Sequence, residues 1–183
     1  RKFPYNREAF GSCFFQTLVE GSQRKENNMR IERSIEIGTR PERVWAFLTE
    51  PEKIRQWSTN FKAFDYTGEQ HGIVGARLYA EEQDGDKTLR MSFKITEWVE
   101  NQRLAFKMTT GMEVDHYEQR WMIEPSSIGT RFTYMESRSG GGLLGKLLEA
   151  FGRRKAENAV TVKLSKLKQL IEAPVSAGKQ TAA

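Results

Sequence analysis

The stretch "EVDHYEQR" (Glu113–Arg120) gathers the side chains best suited to chemistry in this 183-residue chain. Along a strand, alternation places Asp115, Tyr117, Gln119 and Trp121 on one face and Val114, His116, Glu118 and Arg120 on the other. Trp121 and Ile123 mark the apolar phase as inward, so Asp115, Tyr117 and Gln119 are expected to face the interior. On the next strand Tyr134 and Glu136 share the phase of Phe132. Asp115, Tyr117 and Tyr134 would then form a small hydrogen-bonding group in apolar surroundings. A carboxyl held there has a raised pKa and suits acid/base work on a carbonyl. The plainer alternative is a buried polar cluster whose members satisfy one another. His116 falls on the outer face, paired with a neighbouring strand's carboxylate, unless a bulge inverts the phase. Arg77 and Arg90 either meet an anionic ligand group or pair with surface carboxylates.

Other chemistries find no support. No Ser-His-Asp arrangement, phosphate loop, dinucleotide fingerprint or metal-ligand spacing occurs. The single cysteine, Cys13, precludes an intrachain disulfide, and with two histidines it makes a zinc cluster a poor expectation. No metal or cofactor is expected. At 38% hydrophobic and 29% charged residues, the composition suits one globular domain, and no apolar run approaches a membrane span. A cytoplasmic location is the expectation.

The formal net charge is +5. Residues 1–28 hold five basic side chains (Arg1, Lys2, Arg7, Arg24, Lys25) against three glutamates (Glu8, Glu20, Glu26), so the remainder carries +3. Lys146, Arg153, Arg154, Lys155, Lys163, Lys166 and Lys168 gather near the C-terminus against Glu149 and Glu157. They fall on several sides of a helix, which reads as a solvated face. No nucleic-acid signature accompanies them, and no nucleic-acid partner is expected.

The elements that must position the polar group follow from periodicity. "MRIERSIEI" (Met29–Ile37) alternates as a strand. Thr39-Arg-Pro-Glu42 reads as a capping box, with Pro41 in the first turn of a helix whose apolar face is Val44, Trp45, Phe47 and Leu48. Pro51 ends that helix and begins another, anchored by Ile54 and Trp57. Six period-two segments follow: Phe61–Tyr66, Ala76–Glu82, Thr88–Val99, Arg103–Thr109, Met112–Glu124 and Gly129–Arg138. The turns "DGDK", "NQ", Gly111 and "PSSIG" separate them, and such short gaps imply an antiparallel meander. "SRSGGG" (Ser137–Gly142) reads as a hinge before a long helix from Leu143 to about Ala173. Residues 1–28 read as an upstream or appended segment that is not part of the fold, 29–173 as the domain, and 174–183 as a disordered tail.

The fold class is therefore α+β, a curved seven-stranded antiparallel sheet with two short helices and a long C-terminal helix. A sheet of this size curls, and its concave face needs the long helix as cover. Two short helices meeting at the Pro51 corner can close an open end that one straight helix would overshoot.

This layout, with "PERVWAFLTEPEKIRQW", "HGIVGARL", "FKITEWVENQRLAFK", "WMIEPSSIGTRFTY" and "LSKLKQLIE", resembles the START-like (SRPBCC) superfamily. That is the helix-grip fold of pollen-allergen-type proteins, and the resemblance is nearest to its bacterial polyketide cyclase/dehydrase group. It implies a cavity between the sheet and the C-terminal helix that binds, and by extension transports, a hydrophobic or amphipathic small molecule or lipid. The residues expected to line it are Met91, Phe93, Phe106, Met108, Asp115, Tyr117, Trp121, Phe132 and Tyr134. The same apolar faces would equally fill a solid core. Two further functions fit the family: a polyketide aromatase/cyclase, and a protein-interaction module of the chaperone co-activator type.

The long helix carries two apolar stripes. Leu144, Leu147, Leu148 and Phe151 point one way, and Ala156, Val160, Leu164, Leu167 and Ile171 point nearly opposite, with Gly152 between them. The second stripe is expected to grip the sheet. The first reads either as a lid touching an anionic membrane surface or, across a kink, as more core. The oligomeric state is left open.

Overall fold

A computed structural model describes residues 28–112, 114–139 and 142–174. The side chains of residues 28, 84 and 142–151 lie outside that set, as do residues 1–27 of the expected upstream segment 1–28 and most of the tail. The order is β1 (Asn28–Ile37), α1 (Pro41–Thr49), α2 (Pro51–Trp57), β2 (Phe61–Thr67), β3 (Arg77–Asp84), β4 (Lys87–Val99), β5 (Arg103–Thr110), β6 (His116–Ser126), β7 (Gly129–Ser139) and α3 (Gly142–Glu172). The sheet runs β1-β7-β6-β5-β4-β3-β2, with every pairing antiparallel. It is the expected helix-grip arrangement, the long helix lying along one face.

Pro51 makes the corner by a specific mechanism. Proline disfavours the helical region for the residue before it. Glu50 is accordingly extended (φ −87°, ψ 118°), closing α1 and opening α2 at once. The Trp57 indole then donates to the Phe47 carbonyl at 2.9 Å, tying the two helices across the bend. Val44, Trp45, Leu48, Ile54 and Trp57 are all buried.

The capping box does not form. Arg40 is the N-cap of α1 and no side chain caps the helix. Thr39 is held elsewhere: its amide donates to Ile37 O, and its carbonyl accepts from the Thr130 hydroxyl. The tight β6–β7 turn presses on this junction. A Cβ at Gly129 (φ +140°) would lie 2.7 Å from the Thr39 nitrogen, so glycine is required on both counts.

Most strand ends differ from expectation, usually by a residue or two, and those at the start of β6 and the end of β7 bear on the site. Met112, Val114 and Asp115 are not strand, because Gly111 (φ +142°) breaks the path and the Val114 amide turns back onto Met112 O. Beside this segment, at the same end of the hairpin, β7 runs to Ser139, so Ser137–Ser139 belong to the sheet rather than to a hinge. The "NQ" turn holds, with Asn101 in the left-handed region its short polar side chain tolerates.

From Gly152 onward α3 grips as the pattern implied: Val160, Leu164, Leu167 and Ile171 are all at most 4% exposed. Its C-terminus is latched to the end of β1. Glu172 accepts from the Gly38 amide at 2.7 Å, and Lys168 bridges Glu172 and the Glu36 carbonyl. The helix is continuous through Gly152. The first stripe (Leu144, Leu147, Leu148, Phe151), with its lid or core role, lies outside the described side chains.

Candidate functional site

The inward phase assigned to β6 and β7 is correct. Tyr117, Gln119, Trp121 and Ile123 are buried, and they pair across with Arg138, Glu136, Tyr134 and Phe132. His116 sits on the outer face, 3.7 Å from Glu118. Arg90 pairs with Glu81 on the convex surface and Arg77 is exposed, so neither meets the interior.

The middle of the concave face is filled rather than hollow. Trp121 packs against Trp57 and Phe106 at centroid distances of 5.6 and 5.1 Å, and Phe93 packs against Phe106 and Tyr117 at 5.3 and 6.0 Å. Trp57 is what closes this space, driven into the sheet by the α2 corner. Met91, Phe93, Phe106, Trp121, Phe132 and Tyr134 are each at most 3% exposed, and Met108 packs against the same cluster.

The open space is displaced toward one end, where the ring-bearing residues stop. A cavity of about 320 Å³ lies between the β3–β4 and β6–β7 ends of the sheet and the Gly152–Lys163 segment of α3. Its apolar wall includes Leu89, Met112, Ala156 and Val160, and its polar wall Asn60, Glu82, Tyr117, Glu136, Arg138 and Lys163. Small residues on α3 (Gly152, Ala156, Ala159) leave the room. A Cβ at Gly152 would meet nothing within 4 Å. Of the nine residues expected to line a cavity, Tyr117 does so here. Asp115 corrects the expectation: it is exposed just before β6, its amide donating to Ser139 O, because the irregular turn after Gly111 carries it out of the strand phase.

Glu136 takes the place foreseen for Asp115. The Tyr134 hydroxyl donates to its Oε2 at 2.8 Å. Beside it runs a directed chain: the Trp121 indole donates to Gln119 Oε1 at 3.2 Å, and Gln119 Nε2 donates to the Tyr117 hydroxyl. Burial pushes both phenols well above their ordinary range, and the negative charge of Glu136 adds to the effect. Both tyrosines are therefore neutral donors near neutral pH. Opposite them Glu82 accepts from Lys163 at 3.2 Å and from Asn60 at 3.4 Å. Lys163 also stands 5.3 Å from the Phe61 ring centre.

Sequence reasoning missed Arg138, Glu82, Asn60 and Lys163. A signal was present for two of them. Glu82 continues the inward phase of Leu78 and Ala80, and Arg138 that of Phe132, Tyr134 and Glu136. Among the described residues no cluster of metal-ligating side chains occurs, and no helix is long and apolar enough to cross a membrane.

The family model described as "Polyketide cyclase / dehydrase and lipid transport" matches residues 28–172, the whole sheet and all three helices. The chain belongs to this family. No curated protein matches the sequence. Among solved structures, a protein from Thermus thermophilus is similar at TM-score 0.64 and 21% identity, covering 79% of this chain and 96% of that one. A START superfamily protein from Mycobacterium smegmatis gives 0.64 at 14% identity, over 78% and 97%. The di-domain ARO/CYC StfQ from the steffimycin biosynthetic pathway gives 0.67 at 12% identity, over 79% of this chain and 51% of that one. At such identities the likeness speaks to the fold. A polyketide cyclase/lipid transport family member with a START-like helix-grip fold is thus what the cavity belongs to.

Proposed function

We propose that this protein binds an amphipathic small molecule in the end cavity, its apolar part against Leu89, Met112, Ala156 and Val160 and its polar part among Tyr117, Glu136 and Arg138. The carrying observation is the cavity of about 320 Å³ with one greasy and one polar wall. That volume is at the lower end of small-molecule sites, and such mixed lining is their usual character. Filling of the sheet's middle by aromatic rings favours a small or partly inserted ligand over one swallowed whole. Transport is the natural extension of such binding within this family.

A second reading, cyclisation of a poly-β-ketone, has support of its own in the carboxylate–phenol pair Glu136–Tyr134 beside the cavity. In that reading the cavity positions reacting carbons while a single acid/base group acts on them. The test is native mass spectrometry of protein purified from its host, followed by solvent extraction. A co-purifying amphipath, lost in an Ala156→Trp variant that fills the cavity, supports binding. An extracted ring-containing polyketide supports cyclisation. Wild type and Ala156→Trp carrying the same adduct would contradict both.

A further inference from the structure

The cavity's charged groups are unequally committed. Glu82 is satisfied by Lys163 and Asn60, and Glu136 by the Tyr134 hydroxyl. Lys155 also lines the space and has an interaction of its own. Arg138 differs. It is half-buried on β7 between Met29 and Tyr117, and among the described residues its side chain donates to the Met29 thioether at 3.3 Å. A thioether is a weak acceptor, whereas a guanidinium offers five donors in a rigid fork. Among the described residues no carboxylate lies within ion-pair distance of it, although Glu136 is two residues away on the same strand face. Among the described residues the cavity's ionic groups comprise three cations (Arg138, Lys155, Lys163) and two carboxylates (Glu82, Glu136), and of the cations Lys163 and Lys155 are already engaged, whereas the Arg138 side chain has a weak acceptor.

Resting on the proposed cavity function, we infer that the site selects an amphipath with an oxyanion head and that Arg138 is the residue that reads it. The head docks on the guanidinium fork, displacing the Met29 contact, and the chain lies along Leu89, Met112 and Val160. Carboxylate and phosphate both match a planar fork presenting parallel N–H donors, and both gain from charge-assisted bonding in a half-buried site. Lys163 balances the charge of Glu82, whereas Glu136, held by the neutral Tyr134 hydroxyl, keeps its negative charge. That charge disfavours a second anionic charge near the cavity floor, which places the head at the Arg138 side of the wall.

The test uses four probes of one chain length, each titrated below its micelle concentration: decanoate, decyl phosphate, decanol and decylamine. Calorimetry on the full chain is expected to give decanoate or decyl phosphate at least about tenfold tighter than decanol, with decylamine weakest, as bonds to a charged partner imply. The ranking of the two anions identifies the head. Arg138→Gln should bring the better anion to within about twofold of decanol. Arg138→Lys, which keeps the charge without the fork, should retain part of the preference and guards against a Gln variant that folds poorly. Equal affinity for anion and alcohol in the wild type overturns the inference while the cavity reading stands. So does a preference that survives Arg138→Gln, or tighter binding of decylamine. Failure of all four probes to bind, or binding that Ala156→Trp leaves untouched, removes the cavity reading and this inference with it.

Discussion

Tyr134 donates its hydroxyl to Glu136 at 2.8 Å, two residues along the same face of β7, and so joins the aromatic core to the polar wall of the cavity. Tyr134 is 2% exposed, so water does not readily replace its hydroxyl. Tyr134→Phe keeps the ring and deletes the donor to a carboxylate. The expected loss is about 1.5–3 kcal/mol, the range for hydrogen bonds to charged groups. Urea denaturation checks it, and a loss well under about 0.5 kcal/mol would mean that the bond contributes nothing net.

The latch at the end of α3 predicts acid sensitivity. Glu172 has its pKa lowered first by the Gly38 amide and then by Lys168, and Glu36 and Glu81 are lowered as well. A carboxyl depressed in the folded state contributes stability above its unfolded value, and that contribution disappears as pH falls through the folded value. Thermal stability should therefore decline as the pH drops below 4.5, the ordinary value for these groups. Glu172→Gln should make that decline shallower while lowering the melting temperature at neutral pH. An unchanged acid limb would show that the latch does not sense protons.

Alkali acts with the opposite sign. Burial pushes the Tyr66 phenol up to about 12, and Tyr117 and Tyr134 are raised by the same cause. The stability held by these neutral phenols is complete below the unfolded value of about 10 and is lost as pH rises through the folded value. Phenolate absorbance from these tyrosines should emerge together with the loss of circular dichroism. Ionisation of all of them near pH 10 in a protein that remains folded would contradict their burial.

Gly152 is an exception inside a continuous helix. It leaves open space where a Cβ would stand, and glycine in a helix interior is less favourable than alanine by about 0.8–1 kcal/mol. Gly152→Ala should stabilise the protein by up to that amount in chemical denaturation. A destabilisation would show that the residue is needed for backbone freedom at the junction between the two halves of α3.

Much of the fold was legible because it rests on local physics. Pro51 forces Glu50 out of the helical region whatever surrounds it, and the alternation in Tyr117-x-Gln119-x-Trp121 fixes which face turns inward. The grip residues of α3 follow from their 3.6-residue period. The capping box failed because tertiary contact won: the β6–β7 turn claims the Thr39 backbone that a cap would have used. Asp115 failed because the alternation of β6 was carried back beyond its start at His116, into the irregular turn that follows Gly111.

The site was legible only in part, for a different reason. Period-two patterning tells inward from outward, but it does not tell a wall of packed rings from the wall of a cavity. Phe93, Phe106 and Trp121 point inward and fill the space with one another. Hollowness is decided by the partner element, where Gly152, Ala156 and Ala159 on α3 are too small to meet the sheet. Inward charges on β3 and β7 carried the clearer signal. Glu82 and Arg138 follow apolar residues in phase, and a charge held there implies either a partner or a ligand.

The most direct test of a ligand site at the end of the sheet is a chemical-shift map of the amide resonances during titration with decanoate. The account predicts shifts concentrated at Tyr117, Glu136, Arg138, Ala156, Val160 and Lys163, with the aromatic middle around Phe106, Trp121 and Ile123 nearly still. Shifts centred on that middle, or confined to the convex face around Arg90 and Arg120, would contradict it.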